Sequence, residues 1–196
     1  MTLRVTGGGV SVTVQGDAVD ETDGVLERLA ADGVPAALMG GNASLWGPEA
    51  TQEAAERLGW VHAPERSHRL LPRLDELVER FAGLDLVVVA GAGGACLAAE
   101  VIARAHGVDL TLLDTVDPHQ VRRAGRGPLD RTLLVVSGAE TVETDGVRRV
   151  FERAFRDAGI DPAGRIVVVG PPGSSLEASG PTFVPPTRRW TAASAR

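Results

Sequence analysis

The run Leu86-Val-Val-Val-Ala90, entered from Asp85 and followed at once by Gly91-Ala-Gly-Gly94 and an alanine-rich stretch to Ala105, constrains the fold more than any other part of the chain. Consecutive apolar residues over so short a span predict a strand buried on both faces, the signature of a parallel sheet. Gly91, Gly93 and Gly94 let the backbone turn tightly and let a ligand approach it closely. Leu97, Val101 and Ala105 then recur at helical spacing. Strand, glycine turn and helix together aim unpaired N–H groups and the positive end of a helix dipole at one spot, an anion site that suits phosphate.

The same grammar repeats downstream. Strands are predicted at Leu110–Leu113, Thr132–Val136 and Ile166–Val169, with helices near Pro118–Ala124, Thr141–Ala158 and Ser174–Ala178, and a last extended piece at Thr182–Val184. Such alternation implies an α/β fold, a three-layer αβα sandwich around a doubly wound parallel sheet. Ligands of such sheets bind at the carboxyl ends of the strands. Upstream, Val10, Val12 and Val14 alternate with polar residues after a triple glycine, which predicts a hairpin. Asp17 to Asp32 reads as a helix, Pro35–Met39 as a short strand, Pro48–Leu58 as a helix, Gly59–Pro64 as a connection and Arg69–Ala82 as an amphipathic helix. Residues 1–83 are thus expected to form a lead-in and residues 84–196 the sheet domain.

Composition narrows the function. Hydrophobic residues make up 43% and charged residues 23% of the 196 positions, as in a soluble globular protein, and no apolar run reaches the roughly 18 residues of a membrane helix. No signal peptide is visible before Val14, and a single cysteine, Cys96, suits a cytoplasmic protein. The net charge of −6 argues against nucleic acid as a partner. All 20 basic residues are arginine, which excludes lysine Schiff-base chemistry on this chain. His62, His68 and His119 show no metal-ligand spacing.

Two ligands compete for the glycine turn. Gly91-Ala-Gly93 after a strand, with Asp114 about 20 residues later, approaches a dinucleotide fingerprint, but Cys96 stands where its last glycine belongs, and no cofactor is expected. The alternative is a sugar phosphate. The segments Val89-Ala-Gly-Ala-Gly-Gly-Ala-Cys-Leu97, Leu113-Asp-Thr-Val-Asp-Pro118, Arg131-Thr-Leu-Leu-Val-Val-Ser-Gly-Ala-Glu-Thr-Val-Glu-Thr144 and Pro171-Pro-Gly-Ser-Ser-Leu176 resemble, in order and spacing, the first half of the glucose-6-phosphate isomerase family, which has the sugar isomerase (SIS) fold. Asn42–Pro48 and Arg57–Val61 are similar to the lead-in of that half in actinobacterial transaldolase/isomerase fusions.

The resemblance implies a phosphate grip at Gly93, Gly94, Ala95, Cys96, Ser137, Gly138, Thr141 and Thr144. This chain has Ala95 where the family has serine, and Ser137-Gly138-Ala139 where it has a lysine-containing turn. The similarity of Pro185–Thr191 to a family segment puts Arg189 on the catalytic arginine, and Glu140 is the acid in these loops placed to act as an improvised base. The family's own catalytic glutamate, histidine and lysine belong to a second sheet domain beyond residue 196. The expectation is a truncated isomerase-like domain that binds a sugar phosphate or related anion. It would isomerise with a partner supplying the missing groups, or serve as a non-catalytic scaffold, or have been repurposed for biosynthetic chemistry. Self-association as a homodimer is expected from the amphipathic lead-in helices. The bland readings are that Thr141 and Thr144 cap a helix, that Glu143 complements its dipole, that Cys96 is a buried thiol and that Asp114 and Asp117 cap the helix at Pro118.

Overall fold

A computed structural model describes residues 2–16, 18–138, 141–170, 172–174, 177 and 182–185. The chain divides into two compact units, Met1–Glu65 and Arg66–Arg196.

In the first unit, strands β1 (Thr2–Gly7) and β2 (Val10–Gln15) pair antiparallel as the alternation predicts. Gly8 and Gly9, with φ of 57° and 80°, supply the two left-handed positions that a two-residue hairpin turn needs. Helix α1 (Ala18–Ala31) follows, then α2 (Val34–Met39) and α3 (Thr51–Arg57). α2 corrects the strand expected at Pro35–Met39. Proline is at home in a first helical turn, and Ala-Ala-Leu-Met are strong helix formers with no β-branching. The connection expected at Gly59–Pro64 is also helical: a 3-10 turn at Leu58–His62 runs into α4 (Ala63–Ser67).

The second unit contains the sheet. Helix α5 (Leu71–Arg80) leads into β3 (Leu86–Gly91), α6 (Gly94–Ala105), β4 (Thr111–Leu113), α7 (Pro118–Ala124), β5 (Thr132–Ser137), α8 (Val142–Asp157), β6 (Ile166–Val169) and β7 (Thr182–Val184). The helix expected at Ser174–Ala178 falls mostly outside the described residues. All five strands are parallel, in the order β4-β3-β5-β6-β7. That is the flavodoxin-like order, in which the chain reverses direction between β3 and β5.

Alternate strand residues feed two cores. Val88, Ala90, Leu134, Val136, Ile166 and Val168 face Val121 of α7 and Val147, Phe151 and Phe155 of α8. On the opposite face, Val167 and Val184 pack with Phe81 and, half-buried, Leu77, Leu133, Val135 and Val169, so α5 closes that side. Right-handed crossovers put α6 on the face away from α7 and α8, since β3 to β4 moves one way along the sheet and the later steps move the other. The result is the expected three-layer αβα sandwich. An Asp85–Arg131 ion pair, with Arg131 Nε 2.8 Å from Oδ1, joins the entry points of the neighbouring strands β3 and β5.

Candidate functional site at the carboxyl ends of the strands

The switch point is built on close backbone contact. A Cβ at Gly91 would overlap the Ser137 carbonyl oxygen, so only glycine lets the ends of β3 and β5 come this close. Next to it, Gly138 N–H donates to Val169 O at 3.1 Å, and the methyl of Ala95, in the first turn of α6, lies 3.5 Å and 4.0 Å from where a Cβ on Gly91 and on Gly138 would stand. Gly93 caps α6 with φ 60° and ψ −128°, a conformation that L side chains rarely adopt. Gly91, Ala95, Ser137 and Gly138 are therefore close together at the ends of β3 and β5.

Cys96 lies beneath this turn, 2% exposed, with its thiol donating to Gly91 O at 3.1 Å. Burial pushes its pKa up, the negative charge of Asp114 adds to the rise, and the Gly91 hydrogen bond opposes both. Such a group stays a thiol and packs as a small apolar residue.

Thr141 and Thr144 close a reciprocal cap on α8. Thr141 Oγ1 accepts from Thr144 N at 3.3 Å, Thr144 Oγ1 accepts from Thr141 N at 3.1 Å, and both belong to a capping box. Glu143, one turn position away, is held below its usual carboxylate pKa, first by its own backbone N–H and then by the Thr141 hydroxyl. It is a fixed negative charge at the positive end of the helix. Further along α8, Arg148 is buried between Asp145, at 2.6 Å, and Glu152, while Arg149 and Arg156 pair with the same two acids. Burial alone would raise Asp145, but the hydrogen bond and charge of Arg148 and those of Arg149 outweigh it and leave the pKa lowered.

Between these parts lies a cleft of about 450 Å³. Its walls are Ala90–Ala92 at the end of β3, Leu113–Val116 at the end of β4, and Thr141, Glu143, Thr144 and Val147 of α8. Of the residues nominated by sequence, Thr141 and Thr144 line it. Gly93, Gly94, Ala95, Cys96, Ser137 and Gly138 belong to the adjoining turns and are not among the lining residues. Glu140 and Arg189 lie outside the described residues. Asp114 lines the cleft, whereas Asp117 caps α7, accepting from His119 N at 2.7 Å and Gln120 N at 3.0 Å.

Glu143 is the lining residue that sequence reasoning undervalued. Its place in the first turn after a strand at the switch point was the available signal. Among the described lining residues the ionisable groups are Asp114 and Glu143, both acids, so positive potential in the cleft comes from backbone N–H groups and helix starts. No group of three or more His, Cys, Asp or Glu that could hold a metal occurs among the described residues. None of the described helices is long and apolar enough to cross a membrane.

No protein-family model matches the chain, and no curated protein matches it. Among solved structures, the chain is similar to a glucose-6-phosphate isomerase from Chlamydia trachomatis D/UW-3/Cx, with 21% identity and a TM-score of 0.56. The match covers 76% of this chain and spans 31% of the isomerase. At that identity the likeness speaks to architecture, and with the sheet order it shows that this protein has a glucose-6-phosphate isomerase-like α/β fold.

Proposed function

We propose that this chain is a cytoplasmic sugar-phosphate-binding domain whose ligand occupies the cleft at the ends of β3 and β4. The observation that carries the reading is the cleft itself: it sits at the switch point, where ligands of doubly wound sheets bind, and its volume suits a small metabolite. Sugar hydroxyls would donate to the Asp114 carboxylate and share hydrogen bonds with Thr115. The phosphate would meet backbone N–H groups of the glycine turn and the helix starts. The isomerase-like fold supports the ligand class by analogy.

Aldose–ketose isomerisation needs a base at the C1–C2 protons and help for the enediolate. In this reading Glu140 and Arg189 are the chain's candidates, and a partner completes the reaction. A second reading, a non-catalytic pseudoenzyme that regulates or scaffolds, draws on the capping box and Glu143. The box uses the threonine hydroxyls internally, and Glu143 sets a negative charge where a phosphate would dock.

Thermal shift with glucose 6-phosphate, ribose 5-phosphate, glucose and inorganic phosphate tests the choice. A ligand at 100 times its dissociation constant should stabilise by about 2.7 kcal/mol. Asp114→Asn should weaken sugar-phosphate binding about tenfold, the loss of one charge-assisted hydrogen bond. Glu143→Gln should tighten it by removing like-charge repulsion. If none of these compounds shifts the transition, the scaffold reading stands.

A further inference from the structure

We propose that the outer edge of β2 joins two copies of this chain, strand against strand, about a two-fold axis through Val12. Every residue of β2 is exposed, and among the described residues its outer edge pairs with no strand. Val10, Val12 and Val14 are 63%, 56% and 36% exposed, and they share one face of the hairpin with Val5 and Leu3. A two-stranded ribbon is marginal in water on its own, and three or more strands with an apolar face are needed for independent stability.

The sequence of the edge names its occupant. Val10-Ser-Val-Thr-Val14 reads nearly the same in both directions. Antiparallel pairing about Val12 therefore sets Val10 opposite Val14 of the second copy, Val12 opposite Val12, and Ser11 opposite Thr13. Valine meets valine on one face and hydroxyl meets hydroxyl on the other, while a slip of one residue would set valine against Ser or Thr.

The backbone agrees. The two-residue turn closes on Gly7 and Val10, and alternation along an antiparallel ladder then turns the N–H and C=O groups of Ser11 and Thr13 away from β1. About the proposed axis these are the groups that face each other. β2 contains no charge and no proline, the usual guards of an edge strand, so two chains of net charge −6 can meet there without local repulsion. β1 carries Arg4 at mid-strand, and its Nε donates to Thr13 Oγ1 at 3.3 Å, which holds that charge over the hydroxyl face of the hairpin and away from the valines that meet.

Sedimentation of the full chain at tens of micromolar should give twice the 20.4 kDa of one chain, and a monomer there overturns the proposal. Val12→Lys puts two like charges together on the axis and should return the mass to that of a single chain with an unchanged circular dichroism spectrum. Val5→Lys, on the same face but one strand removed, should leave the dimer intact. Equal dissociation by both variants would mean that apolar faces stack, and retention of the dimer in Val12→Lys would mean that the contact lies elsewhere; either result overturns edge pairing. Directly opposed residues have Cα atoms about 4.5–5.5 Å apart, within disulfide reach. Under mild oxidation Val12→Cys should therefore cross-link to itself and Thr13→Cys should not, with Cys96 buried and silent. Equal cross-linking of the two variants would refute the register.

Discussion

Gly91 and Gly94 stand three residues apart in one turn and differ completely in what they tolerate. A methyl group at Gly91 runs into the Ser137 carbonyl, whereas at Gly94 it meets nothing within 4 Å and the backbone is not left-handed. Gly91→Ala should therefore cost about 3 kcal/mol by forcing β3 and β5 apart, and Gly94→Ala should unfold in urea with the parent's midpoint. Sequence alone ranked these glycines together as ligand-approach positions; the close approach at Gly91 is to the neighbouring strand. Cys96 makes a second test at this scale. Its raised pKa lies above the value of about 8.5 for an unfolded thiol, so the folded state binds the proton more tightly. That stability contribution is present below the unfolded value and fades as pH rises through the folded one, so stability to urea should decline as pH rises above about 8.5. Iodoacetamide at pH 8 should leave the native thiol unmodified and label it after denaturation.

At the scale of the element, α8 concentrates the electrostatics. Arg148 is buried and shared by Asp145 and Glu152, so Arg148→Ala strands two half-buried carboxylates and should cost about 3 kcal/mol by urea denaturation. The lowered pKa of Asp145 means that its contribution is present above the unfolded value of about 3.9 and is lost as pH falls through the folded one. Acid unfolding of the parent should be steep below pH 4, and the Arg148→Ala variant should lose that slope. The elements of the sheet domain were legible because β3, β5 and β6 are apolar runs and Asp117 and Thr141 are recognisable caps. α2 was not, since a short Pro-led apolar stretch carries no periodicity, and flanking chemistry decides it. The cleft was legible as a place and its lining less so as a residue list. Position in the alternation locates the rim, but only the packing of α8 against β3 shows that Glu143 lines the cleft while Ser137 does not.

For the whole molecule, the isomerase-like sheet carries a cleft at its carboxyl rim, and the chain spans 31% of the solved isomerase to which it is similar. A positioned base contributes about 10²–10⁴-fold, and the family's own base is not among the described cleft residues, whose acids are Asp114 and Glu143. The chain alone should interconvert glucose 6-phosphate and fructose 6-phosphate far below about 1 s⁻¹; a coupled assay at or above that rate would contradict the proposed need for a partner. The strand order also bears on how the molecule is made. β3 lies between two strands that both come after it, and Leu86 pairs with Thr132, 46 positions downstream. At synthesis rates of about 5–20 residues per second, the run Leu86–Ala90 waits on the order of 2–9 s with its β5 edge open. During that interval the most apolar strand of the nascent chain is its stickiest, and holding it until Ser137 has left the ribosome is the step at which a chaperone would matter most.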